Sequence, residues 1–245
     1  MMHRAIAVSF AACVAWAGLG VEAWGRQTPS SSGAVARLDT PVLRIPRTAD
    51  GPKIDGQLGE NEWQDASALS GFWYDFTISN FRFLAADETQ VELYAAYDRD
   101  NLYLAYISAT YPPGSWLRAR GRFPDVRSHP NYGLQWDDHI ELELRPYPDN
   151  RKGFRKGLFK WFVNPIDTVF DQWWSIDRGE GKRFKSRMRA RSGVLDDKWV
   201  LEMSIPLEAF RHGHYAKTGA DGRPVVELPP DGTAWRAWFT RGIGG

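Results

Sequence analysis

Cysteine is almost missing from this chain. The one thiol among 245 residues is Cys13, so no internal disulfide and no thiolate metal cluster can form. A surplus of charge is missing too. The 31 Lys and Arg residues balance 30 Asp and Glu, which excludes a global electrostatic footprint for nucleic acid or for an anionic membrane surface. There is no internal repeat with a period of about 20–50 residues. A long apolar run occurs once, from Ala5 to Val21.

That run, "MMHRAIAVSFAACVAWAGLGVEAWG", follows a short basic start (His3, Arg4) and ends at Val21-Glu22-Ala23, the small-residue pattern of a signal-peptide cleavage site. The reading is a signal peptide over residues 1–23 and an exported protein, periplasmic or extracellular, with no stable membrane insertion after cleavage. Two alternatives stay open. A retained anchor is one, because the run approaches the length of a spanning helix. A lipoprotein with "FAAC" as its lipidation box is the other, although the apolar residues continue past Cys13. Residues 24–37 include "RQTPSSSGAVAR", which is rich in Ser, Pro and Gly and reads as a flexible linker. No later break of this kind appears, so one domain is expected over residues 38–245, long enough to bury an ample core.

Within it the period is two. "VELYAAYDRDNLYLAYISA" places Val91, Leu93, Ala95 and Tyr97 on one face, turns at Asp98 to Asn101, and resumes with Leu102, Leu104 and Tyr106. This predicts a β-hairpin. "HIELELR" sends Ile140, Leu142 and Leu144 one way and His139, Glu141, Glu143 and Arg145 the other, a half-buried strand with one wet face. "GLFKWFVNP", "KSRMRARSG", "KWVLEMSIP" and "TAWRAWFTR" read as further strands, and only "PLEAFRH", Pro206 to His212, reads as a short helix. The predicted fold is all-β, an antiparallel β-sandwich with one short helix.

Six segments occur in an order and spacing that resembles family 9 carbohydrate-binding modules and their DOMON-type relatives. They are "PKIDGQLGENEWQDA", "VELYAAYDRDNLYLAYI", "WDDHIELEL", "FVNPIDTVFDQ", "KWVLEMSIPLEAF" and "WRAWFTR". The resemblance implies a β-sandwich that binds a saccharide without cleaving it, gripping the sugar between two tryptophans, with structural calcium and no organic cofactor. It makes Trp136 the first tryptophan, one residue closer to the following aspartate than in the family. It also makes Glu141 a carboxylate for sugar hydroxyls and Asn164 an amide ligand. Phe162 stands where the family has arginine, and the second tryptophan would lie beyond the last strand recognised here. Trp116, Trp173 and Trp174 are the candidates for that second jaw. With 12 tryptophans in the chain, most must serve packing.

Other chemistry is weighed residue by residue. Glycoside hydrolysis needs two opposed carboxyl groups, whereas Glu141 and Glu143 lie two apart on one strand and project in parallel. Asp171 from another strand is the alternative partner. Asp138 is a candidate cation ligand or a solvated strand start. Asp98 and Asp100 in "DRDN" are candidate calcium ligands or a plain turn, without the glycine and glutamate of an EF-hand loop. "GKRFKSRMRARSG" places Lys185, Arg187, Arg189 and Arg191 on one strand face, as a groove for an anionic polysaccharide or a cationic edge strand that discourages edge-to-edge pairing. His212 and His214 lack a third ligand for zinc, and Met203 has no partner residue for haem. "IDGQLGENEW" reads as structural, with Asp55-Gly56 turning the chain and Ile54 and Trp63 packing. The expected partner is a saccharide, and oligomeric state is unreadable. The alternative function is an interaction or assembly domain heading a larger surface or outer-membrane protein.

Overall fold

The computed structural model describes residues 5–15, 42–76, 81–84, 91–110, 116–119, 137–146, 158–174, 184–195, 197–211, 216–218, 220, 224–226 and 234–242. Among the described residues, fifteen strands follow the chain: β1 Ala5–Ala15, β2 Val42–Pro46, β3 Ser67–Leu69, β4 Trp73–Phe76, β5 Phe81–Leu84, β6 Val91–Tyr97, β7 Asn101–Ala109 and β8 His139–Arg145. Then come β9 Leu158–Val163, β10 Val169–Trp174, β11 Arg189–Leu195, β12 Lys198–Pro206, β13 Ala216–Thr218, β14 Pro224–Val226 and β15 Ala234–Gly242.

Two large sheets result. The first runs β10-β9-β8-β15-β1-β4-β5, with β2 also on β1, and the second runs β11-β12-β7-β6-β3. The core between them is assembled by alternation. Ile140, Leu142 and Leu144 of β8, Phe159, Trp161 and Val163 of β9, and Trp235 and Phe239 of β15 are buried from one side. Leu93, Leu104, Tyr106, Trp199, Leu201 and Met203 are buried from the other. The Tyr106 ring meets Phe239 across the core at 5.2 Å, which ties the two layers together, and Trp199 of its own sheet at 5.9 Å. Offset and edge-on ring contacts of this kind add about 0.5–1.5 kcal/mol each beyond burial.

The outer face of the second sheet is covered by residues 52–66. Glu202 on β12 draws that segment down: Oε2 accepts from the Asp55 and Gly56 backbone N–H groups at 3.0 and 2.9 Å, and Oε1 from Trp63 Nε1 at 3.0 Å. Gly56 has φ +84°, and a side chain there would strike the Ser192 carbonyl at 2.5 Å. This is the structural role read from "IDGQLGENEW".

Three expectations need correction. The short helix is a 3-10 turn, Leu207–Arg211, because Pro206 ends β12 and too few residues follow for a stable α-helix nucleus. Lys185 and Arg187 are not on the basic strand, which begins at Arg189. Arg187 takes φ +58°, and a left-handed residue breaks the alternation that would align it with Arg189 and Arg191. The sandwich also contains parallel pairing, since β1 runs parallel to β15 and β4.

β1 is made from residues that the sequence reads as an export leader. Its backbone pairs with nine positions of β15, from Ala234 to Gly242, and with all of β2. A chain that starts at Trp24 therefore leaves one edge of β15 without a ladder. Its Tm in circular dichroism is expected to fall more than about 5 °C below that of the full chain, because each kcal/mol moves a domain of this size by about 2–4 °C. Equal values would show that β1 adds nothing to the folded sheet.

Candidate functional site

Register places the polar residues of β8 on one face with outward residues of its neighbours. Glu143 lies opposite Trp238 of β15 and Lys160 of β9, and Lys160 lies opposite Gln172 of β10. The next row is Thr240, Glu141, Phe162 and Phe170. Two cross-strand rows thus form a platform on the outer face of the first sheet, with opposed Cβ atoms about 4.5–5.5 Å apart, and Phe162 and Thr240 of the second row are buried within it.

Its electrostatics centre on Lys160. The ammonium contacts the Glu141 carboxylate and lies 3.2 Å from Glu143 Oε1, and it sits 4.7 Å over the Phe162 ring. One cation therefore holds two carboxylates in fixed positions. Burial raises the Glu141 pKa above its ordinary value, while Lys160 opposes the rise. Beside this group Trp238 is 36% exposed, and its Nε1–H donates to Thr240 Oγ1 at 2.8 Å. The hydrogen bond fixes the indole and leaves ring surface open.

At the end of β8 the polar groups are buried. Arg241 Nη2 meets Asp138 Oδ1 at 2.6 Å, with side chains only 3% and 6% exposed, and the guanidinium lies 4.9 Å over Trp199. Asp138 Oδ2 also accepts from the Arg118 backbone N–H at 2.6 Å, and Asp138 N–H donates to Arg118 O at 2.7 Å. Losing one partner of such a buried pair costs about 3–5 kcal/mol. Asp138 is thereby a structural anchor for residues 116–119. His139 Nδ1 donates to the Asp137 carbonyl at 2.8 Å.

The residues singled out in sequence fall in different places. Glu141 lies on the platform. Asn164 does not present its amide to a ligand: it is fully buried, donates to Asp137 Oδ2 at 3.0 Å, and accepts from the Ile166 and Thr168 N–H groups at 3.2 and 2.9 Å. It shapes the turn into β10. Trp173 is on the inner face, packed against the core and stacked with Phe159 at 6.4 Å. Trp174 occupies the position opposite Leu158. Trp116 is 95% exposed. Trp136 lies outside the described residues, as do His212 and His214.

Two of the calcium candidates, Asp98 and Asp138, have their carboxylates engaged within the fold. Asp98 Oδ1 accepts from the Asp100 and Asn101 N–H groups at 2.6 and 2.7 Å, and Oδ2 from the Tyr103 hydroxyl at 2.6 Å. That carboxylate is engaged in closing the β6–β7 turn, and the Asp138 carboxylate is neutralised by Arg241. Among the described residues no three His, Cys, Asp or Glu side chains gather to hold a metal. Asp171 cannot pair with Glu141 in catalysis, because its register partner is the inward Trp161 and its carboxylate binds Ser186.

Trp238 and Lys160 were missed as site residues. Both were visible as outward positions of alternating strands, "TAWRAWFTR" and "GLFKWFVNP". What was not visible is that these strands flank β8.

Comparison with solved structures finds two family 9 carbohydrate-binding modules. The chain is similar to a family 9 carbohydrate-binding module from Caldicellulosiruptor kristjanssonii in complex with glucose, at 16% identity over 65% of this chain, with TM-score 0.41. It spans 66% of that chain, just under two thirds. It is also similar to a family 9 module from the same organism in complex with cellotriose, at 14% identity over 79% of this chain and 91% of that one, with TM-score 0.44. No protein-family model matches the chain, and no curated protein matches it significantly.

Burial, helped by Arg241, pushes the His139 pKa down from 6.5 to about 4. The unfolded chain then binds more protons than the folded one between those values, so stability is lost as pH falls through that window. The loss from this group is about 3 kcal/mol. Urea unfolding at pH 7, 6, 5 and 4 should show the native protein falling more steeply than His139→Gln. Parallel slopes would show that His139 is not buried in its neutral form.

Proposed function

We propose that this protein is an exported, non-catalytic saccharide-binding module that holds a sugar on the outer face of β15, β8 and β9. The observation that carries this reading is the juxtaposition of an exposed, hydrogen-bonded Trp238 with the Glu141-Lys160-Glu143 group on adjacent strands. A pyranose has an apolar C–H face, which suits the electron-rich face of an indole. Its hydroxyl groups need directed partners, and carboxylates accept from them while an ammonium donates.

The arrangement suits binding because it is already organised. Lys160 restrains both carboxylates and Thr240 restrains the indole, so little side-chain freedom remains to be lost when a ligand arrives. It does not suit hydrolysis. Glu141 and Glu143 project in parallel from one strand and share one cation, whereas glycosidases place two carboxyl groups on opposite sides of the scissile bond. The ordered family 9-like segments in the sequence add independent support for the saccharide class.

Isothermal titration with cellotriose tests the reading. Trp238→Ala should weaken binding about tenfold or more, the loss of roughly 1.4 kcal/mol of ring contact, with the fold retained by circular dichroism. Unchanged affinity in Trp238→Ala would remove this face from consideration.

A further inference from the structure

The next outward pair on the same two strands is Arg236 of β15 directly opposite Arg145 of β8. Like charges in directly opposed positions destabilise a sheet. Arg236 is exposed and Arg145 half-buried. Burial pulls the Arg145 pKa below its ordinary value, Glu143 opposes that, and Arg236 adds to it, so the two guanidinium groups feel each other. Both stay charged at any ordinary pH.

The pairing has a direction. Along β15, Arg236 is two residues from Trp238, about 6.8 Å on the same face. One sugar residue stacked on the indole therefore has its rim within reach of the arginine pair. Among the described outward positions of β15, β8 and β9, the cations Lys160, Arg145 and Arg236 outnumber Glu141 and Glu143; both acids contact Lys160, and Glu143 also acts on Arg145. The end of the platform beyond Trp238 is cationic.

We infer that the sugar this face takes is a uronic acid, its ring on Trp238 and its carboxylate received by Arg236 and Arg145. The inference rests on the saccharide-binding reading above and narrows it. Planar guanidinium forks match a carboxylate with two parallel hydrogen bonds, which a neutral hydroxymethyl group cannot supply. The basic edge strand β11 is a separate feature. Its Arg191 lies on the other sheet and approaches Asp167 at 3.7 Å.

The test compares cellotriose with its C6-oxidised triuronate, which share a backbone and differ in their carboxylates. Calorimetry should find the triuronate bound about tenfold tighter or more, as a charge-assisted hydrogen bond of roughly 1.5–3 kcal/mol requires. Arg236→Gln, at an exposed position, should erase that advantage with the fold retained by circular dichroism. Arg189→Gln on β11 should leave the advantage unchanged. Equal binding of both sugars, or an advantage that survives Arg236→Gln, overturns the inference. If both sugars bind equally and still respond to Trp238→Ala, only the acidic preference fails. If neither binds, the saccharide reading fails with it.

Discussion

β8 sends alternate side chains into two environments that cannot be exchanged. Ile140, Leu142 and Leu144 are buried in the core, while Glu141, Glu143 and Arg145 stay partly in contact with solvent. A slip of one residue would place two carboxylates and a guanidinium among Trp161, Phe239 and Tyr106. That cost, many kcal/mol for unpaired buried charge, fixes the register of β8 against β15 and β9. Once the register is fixed, Trp238, Glu143 and Lys160 must lie in one row and Thr240, Glu141 and Phe162 in the next. The platform follows from the packing of the opposite face.

The two sheets are finished differently on their outer sides. Residues 52–66 lie over the second sheet, tied by Glu202, whose burial raises its pKa and whose three hydrogen bonds oppose that rise. At the end of the first sheet, Arg241 and Asp138 are buried as an ion pair and hold the segment carrying Arg118. These groups consume the acids that looked most available for chemistry. Asp138, Asp98 and Asn164 each satisfy backbone or side-chain partners of the fold, whereas Glu141 and Glu143 lie on a partly open surface beside Lys160, with Arg145 near Glu143.

Alternation made much of this legible. The β6–β7 hairpin, the inner and outer sets of β8, and the packing of Ile54 and Trp63 all follow from local pattern. Local pattern could not show that β15 pairs with β8, a contact between residues about a hundred positions apart, and so it could not place Trp238 beside Glu143. Arg187 was misplaced because nothing in "KSRMRARSG" marks a left-handed residue that is not glycine. Asn164 was assigned to the ligand through the family resemblance, although "NPID" also carries the turn chemistry that the structure uses. Trp173 and Trp174 illustrate the limit of composition: which of two adjacent tryptophans faces the core depends on the register of β10, and that is set by β9.

The central claim is that a saccharide lies across Trp238, Glu143 and Lys160. A titration with cellotriose followed by nitrogen-edited NMR tests it most directly. The account predicts that the Trp238 indole N–H and the amides of Glu141, Glu143 and Lys160 shift together and saturate at one affinity. Shifts confined to Trp116 and its neighbours, or to the β11 edge, with the platform unmoved, would contradict it.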